Sequence, residues 1–274
     1  MSRWADICSD DESKPLSPFK PPICQAGGSN KPRHVLSADG ESPLKPPDRQ
    51  HEPIDSEILR KPLELLQALS DIRDKLFNVD PAARQDRLLS HQVDVFKALE
   101  QIPAGTGAEE QALRFYIRGK ALDVISEEYV PEAEELLGRA VKLDPTLGDC
   151  WNQLGASFWK KGDFQAAHDC WQCSLLHAGQ ADSARAALRE LSMAHRSKGG
   201  NAEESLRLAK EAIGRDMSDT RSWYNLGTAY LSYFFAVSLD PEDLTRALRA
   251  YNKAASDTAH ANPDLHFNRS GEPS

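Results

Sequence analysis

The sequence has no long apolar run. Nowhere in its 274 residues is there a stretch near the roughly 18 positions a bilayer-crossing helix needs, so a membrane partner is not expected. It also lacks an excess of positive charge. The net charge of −9 gives no field that would hold DNA or an anionic surface directly. Five cysteines at irregular spacing make no disulfide framework. The first twenty residues are acidic and have no apolar signal core, so the cytosol and nucleus are the expected compartments. Catalytic motifs are missing too. Gly105-Thr106-Gly107 is not followed by Gly-Lys-Ser/Thr, and neither Gly-x-Ser-x-Gly nor His-Glu-x-x-His occurs. These gaps point away from an enzyme and imply no cofactor. His168, Cys170, Cys173 and His177 have metal-like spacing, but on a helix His168 points about 160° from Cys170, so buried thiols are expected instead of a zinc site.

Proline, by contrast, is concentrated at one end. Nine of the seventeen prolines fall within residues 1 to 54, among Ser, Gly, Lys and Asp. Such a segment cannot bury enough apolar surface to offset the entropy of ordering it, so residues 1–55 are expected to be a disordered tail. Ser17-Pro18 and Ser42-Pro43 are candidate proline-directed phosphorylation sites, and Trp4-Ala5-Asp6-Ile7 is a small apolar island.

From about Ser56 apolar residues recur near the 3.6-residue period. Leu63, Leu65, Leu66, Leu69, Ile72 and Leu76 mark one helix, and Leu88, Leu89, Val93, Val95, Phe96 and Leu99 a second, opened by Asp80-Pro81. Residues 56–110 are expected to cap the chain that follows. In that chain Trp151, Leu154, Gly155 and Phe158 precede Ala167 and Trp171, with Lys161-Gly162-Asp163 between them. This is the tetratricopeptide pattern, a helix–turn–helix of about 34 residues. Ala133 to Ala167 is one full period, with Ala121 read as the small residue of the first repeat. A third, weaker copy runs through Leu188, Ser192, Ser205 and Ala209, with Gly199-Gly200-Asn201 as its turn. A fourth runs through Trp223, Gly227, Ala247 and Tyr251, with about eight inserted residues near Phe234–Glu242. A fifth begins at Asn262 and is cut short within residues 270–274. The expected fold is all-α: a tetratricopeptide superhelix over residues 111–269 behind its helical cap.

Stacked repeats curve around a concave groove lined by their first helices. Counting from each repeat's start, the second, fifth, ninth and twelfth positions should face it. Arg118, Asn152, Arg196, Tyr224, Thr228 and Asp264 fall there, with Trp159 and Lys160 nearby. Asparagine and arginine can hold an extended peptide's backbone and acidic groups, and an aspartate can hold a base or a terminal amine.

The segments KALDV (120–124), PEAEELLGRAVKLDP (131–145), WNQLGASFWKKGDFQAAH (151–168), SWYNLGTAYLS (222–232) and NPDLHFNR (262–269) resemble the tetratricopeptide repeat protein five family, also called Strap. The similarity spans roughly residues 60–269. It implies a non-enzymatic adaptor in which an OB-fold domain follows the repeats. Two roles come with the resemblance. One is scaffolding p53 coactivator proteins in stress-responsive transcription. The other is capture of the Met-Arg-Glu start of nascent tubulin at the ribosome, which triggers decay of tubulin mRNA. By position, the resemblance assigns Arg196 to the peptide's acidic residue and Asp264 to its arginine. The family's later repeats and OB-fold would lie beyond Ser274, so a truncated chain is expected. The rival reading is a chaperone-linked repeat protein that clamps a C-terminal carboxylate, for which Asn152 and Lys160 fit loosely and Asp264 does not.

Overall fold

A computed structural model describes residues 57–75, 79–103, 107–177, 181–197 and 200–255. The proline-rich tail with its serine sites and apolar island, Gly199, the start of a fifth repeat and Asp264 all lie outside the described residues. Among the described residues every regular element is helical: α1 (Glu57–Lys75), α2 (Pro81–Glu100), α3 (Ala108–Ile125), α4 (Pro131–Leu143), α5 (Gly148–Lys161), α6 (Phe164–His177), α7 (Ala181–Arg196), α8 (Ala202–Arg215), α9 (Thr220–Tyr233) and α10 (Pro241–Ala254). No described helix is long and apolar enough to cross a membrane.

The sequence sets the helix ends through local hydrogen bonds. Asp80 caps α2 by accepting from the Ala82 and Ala83 amides at 3.1 and 3.2 Å, and Pro81 takes the first-turn position where no amide is needed. Asn201, Asp219 and Asp240 cap α8, α9 and α10 in the same way. Between α5 and α6, Gly162 adopts φ 85°. There the Asp163 amide donates to Phe158 O and the Gly162 amide to Trp159 O, both at 3.0 Å, while Asp163 Oδ1 accepts from Ala166 N. One turn thus ends a helix in the left-handed conformation that favours glycine and starts the next.

Neighbouring helices pack in sequence: α1 on α2, α3 on α4, α5 on α6, α7 on α8 and α9 on α10. Both α1 and α2 also cover α3. On α2 the buried face is Leu88, Gln92 and Val95, whereas Leu89 and Val93 are exposed. The polar Gln92 is tolerated because its side-chain amide donates to Ala121 O across the interface at 3.2 Å. One continuous core runs from Leu59 through Leu137, Phe158 and Trp171 to Ala212, followed by smaller clusters in α8–α10.

Each repeat is held by a point of close approach. A Cβ added at Gly155 would sit 2.4 Å from the Trp171 indole nitrogen, and one at Gly227 would sit 2.6 Å from the Tyr251 ring. The third repeat has serines there. Ser192 Oγ donates to Ser205 O at 2.9 Å and Ser205 Oγ to Ser192 O at 2.8 Å. In the first repeat the contact falls at Gly119, against Leu137 and Ala133, not at Ala121. The reason is the turn. Five residues, Ser126–Val130, separate α3 from α4, against two between α5 and α6, while Ala133 is the third residue of α4 and Ala167 the fourth of α6, so counting twelve back from Ala133 stops two residues short of Gly119.

The fourth repeat's insertion takes the form of one π-helical turn, Phe234–Ser238, ended by Leu239 at φ 49°. It leaves Phe235 and Leu239 exposed.

Gly155→Ala is expected to destabilise the protein by about 1–3 kcal/mol through overpacking against Trp171. Gly214→Ala, with nothing within 4 Å of the added Cβ, should stabilise it by roughly 0.5–1 kcal/mol from helix propensity. Thermal melts of the two variants should therefore move in opposite directions; a melt of Gly155→Ala that matches the parent would remove the close-approach constraint.

A charged groove as the candidate functional site

The register fixed by Gly119, Gly155, Ser192 and Gly227 decides which side chains face inward. On α3 these are Lys120 and Asp123; on α5, Asp149, Asn152, Ala156 and Lys160; on α7, Arg185, Ala186 and Arg189; at the start of α9, Arg221. Gln67, Asp71 and Arg73 of α1 close one side of the same cavity, which has a volume of about 850 Å³. Its lining carries six carboxylates (Asp71, Asp123, Asp149, Asp182, Glu190, Asp219) and six cations (Arg73, Lys120, Lys160, Arg185, Arg189, Arg221). Charge is balanced and finely mixed.

Most of these groups are engaged with one another. Lys160 reaches Asp123 Oδ2 at 2.9 Å and donates to the carbonyls of Asp123 and Ser126 at 2.6 and 2.9 Å, which uses all three ammonium protons. Gln153 donates to the same fully buried carboxylate. Arg185 meets Asp182, Asp216 and Asp219, and Arg189 meets Asp219 and Ser222, tying α7 to α9. Across the groove's mouth, Arg221 of α9 pairs with Asp74 of α1 at 3.3 Å, although 147 residues separate them.

Asp149, Lys120 and Glu190 have no ion pair among the described residues, and Asp149 accepts from Ser183 Oγ at 2.7 Å. Lys120 Nζ donates to the Tyr116 hydroxyl at 3.1 Å. Burial lowers its pKa, opposed by the Asp149 charge. Burial raises the pKa of Glu190 against the pull of Arg189, Arg196 and Arg73. Asn152 donates to Ser183 O at 2.8 Å, and its Oδ1 is buried without a partner.

The other sequence candidates are placed differently. Arg196 donates through Nη1 to Asn225 Oδ1 at 2.8 Å and to Ser192 Oγ at 3.2 Å, and burial lowers its pKa. Tyr224 and Thr228 lie on α9 beside Tyr251; the Tyr251 hydroxyl donates to Thr228 Oγ1 at 3.3 Å, and the two tyrosine rings are 5.9 Å apart. Arg196, Tyr224 and Thr228 therefore form a patch toward the C-terminal repeats. Arg118 is not a groove residue. Its guanidinium sits 5.6 Å over the Phe96 ring, in a separate cavity between α2 and α3, because the two-residue register shift turns it toward the cap. Lys120, Asp123 and Arg189 went unread in the sequence. The first two follow from placing the small residue at Gly119; Arg189 holds the fifth position of its repeat, the same as Asn152, and was accessible to the count. The thiols of Cys150 and Cys170 are free and buried, with pKa values pushed up mainly by burial. No metal-binding cluster occurs among the described residues.

No family model matches the chain. Human tetratricopeptide repeat protein 5 is 38% identical over 248 residues, covering 85% of this chain and 52% of the human protein. The protein of that name from Bos taurus is 39% identical over 227 residues, covering 78% and 50%. The chain belongs to the tetratricopeptide repeat protein 5 family. It spans about half the length of the curated relatives it matches. Among solved structures, MamA gives a TM-score of 0.46 at 20% identity, covering 66% of this chain and 100% of that one. YrrB, described as a TPR protein with an unusual peptide-binding site, gives 0.42 at 20% identity, covering 68% and 85%. At those scores the two structures carry no argument about this chain.

In this family member Glu190 makes stability depend on pH. A carboxyl whose folded pKa is raised stabilises the fold below its ordinary value of 4.5 and loses that contribution as pH rises through the folded value. Glu190→Gln should accordingly melt higher than the parent at neutral pH and show a shallower decline as pH rises above 4.5. Identical pH–melting curves for the two proteins would mean that the carboxyl is solvated.

Proposed function

We propose that the chain is a non-enzymatic adaptor whose groove binds a short extended peptide carrying both acidic and basic groups. What supports this is the groove's even mixture of six carboxylates and six cations, with Lys120 and Glu190 left unpaired within it. A peptide acid can pair with Lys120 and a peptide base with Glu190, each supplying the direct ion pair that these half-buried groups lack. Asn152 Oδ1 is a further buried acceptor for a backbone amide.

Family membership suggests the ligand: the Met-Arg-Glu start of nascent tubulin, which offers an amine, a guanidinium and a carboxylate in three residues. Arg196 and Asp264 are the contacts drawn from the sequence, with Tyr224 and Thr228 on the flanking patch. Ribosome contact, tubulin mRNA decay and the scaffolding of p53 coactivator proteins, in cytoplasm and nucleus, belong to the same proposal. The carboxylate-clamp alternative has less support, since Lys160 already spends its three protons on Asp123 and Ser126.

The test is fluorescence anisotropy with a labelled peptide that begins Met-Arg-Glu, competed by an acidic C-terminal peptide. Lys120→Ala, Glu190→Gln and Arg196→Ala should each weaken binding by about fivefold or more, the loss typical of truncating a buried charged contact. Competition by the acidic C-terminal peptide at equal concentration would favour the clamp, and no binding by a chain that is helical by circular dichroism would overturn the groove reading.

A further inference from the structure

A second cavity, of about 450 Å³, lies between the C-terminal ends of α5 and α7 and the start of α6, and shares no lining residue with the charged groove. Trp159 and Phe164 form an aromatic corner, their rings 4.7 Å apart at 73°. His168 and His195 form the opposite wall, 5.6 Å apart and edge to face, and Ala194, Gln165 and Ser197 complete it. Four π-bearing side chains around one cavity are a recognition surface for a planar ring. One polar atom is out of balance. His168 Nδ1 is buried without a hydrogen-bond partner; the Asp169 carboxylate, 3.7 Å away, is too distant to supply one.

We propose that this cavity is a binding site for a tyrosine side chain presented by a partner protein. The ring stacks against Trp159, Phe164 and His195, and the phenol hydroxyl satisfies His168 Nδ1. An aliphatic side chain would fill the space and leave that nitrogen orphaned, which disfavours it. A lysine or arginine would bring a charge beside two imidazoles with no carboxylate among the lining residues, and Glu204, whose charge is felt at His195, is already paired with Arg207. The site is independent of the groove: on α5, Trp159 lines one cavity and its neighbour Lys160 the other.

The experiment uses N-acetyl-tyrosinamide and N-acetyl-phenylalaninamide as probes, followed through the histidine ring-proton resonances of the whole chain. The two wall histidines are assigned with His168→Gln and His195→Gln. Tyrosinamide should shift both signals and bind about fivefold tighter than phenylalaninamide, the difference one added hydrogen bond makes. His168→Gln should abolish that preference, and Trp159→Ala should abolish binding of both probes. Lys120→Ala, a groove variant, should change neither. No shift at low-millimolar probe, shifts confined to other histidines, or equal affinity for the two probes would each overturn the proposal.

Discussion

Paired helices in this stack reach full contact only where a side chain is small or missing. Gly155 lets α5 press its backbone against the Trp171 ring, and the same device recurs at Gly119 and Gly227. Where the third repeat has no glycine, two buried serines bond each other's carbonyls and hold the spacing. Everything else takes its direction from that contact. A helix locked at one residue cannot rotate, so the positions three, four and seven away are committed to groove, core or solvent.

The groove is the product of that commitment. Residues with no sequence proximity, from Asp71 on α1 to Arg221 on α9, meet as mixed charges because five helices present corresponding positions to one concave side. Most of the resulting ion pairs are internal, as with Lys160 on Asp123 and Arg189 on Asp219. They order the surface without being available to a ligand. Lys120 and Glu190 feel opposite charges nearby but touch none of them in an ion pair.

The all-helical repeat fold was legible because Trp, Gly and Ala at fixed spacing leave few alternatives. Trp151 and Trp223 even repeat a hydrogen bond, each indole donating to a carbonyl six residues earlier, Pro145 and Met217. The site was less legible. A turn three residues longer, a net register shift of two, moved Lys120 and Asp123 into the groove and Arg118 out of it, and turn length leaves little mark on helical periodicity. Burial is also invisible at this level. Glu190 reads as an ordinary surface carboxylate until α7 is placed among its neighbours. Asn152 lines the groove where the count places it, because its repeat keeps the regular spacing, whereas Tyr224 and Thr228 lie on the patch beside Tyr251.

Repeat stacks usually behave as open chains, in which each unit knows only the one before and the one after. The pairing of Asp74 with Arg221 changes the topology of that coupling, because it joins the first described helix to the ninth. Fraying at either end is then felt at the other. A bond between exposed side chains is worth at most about 1 kcal/mol and weakens as salt rises, so the loop it closes is a soft one. It couples the two ends of the stack without fixing the distance between them.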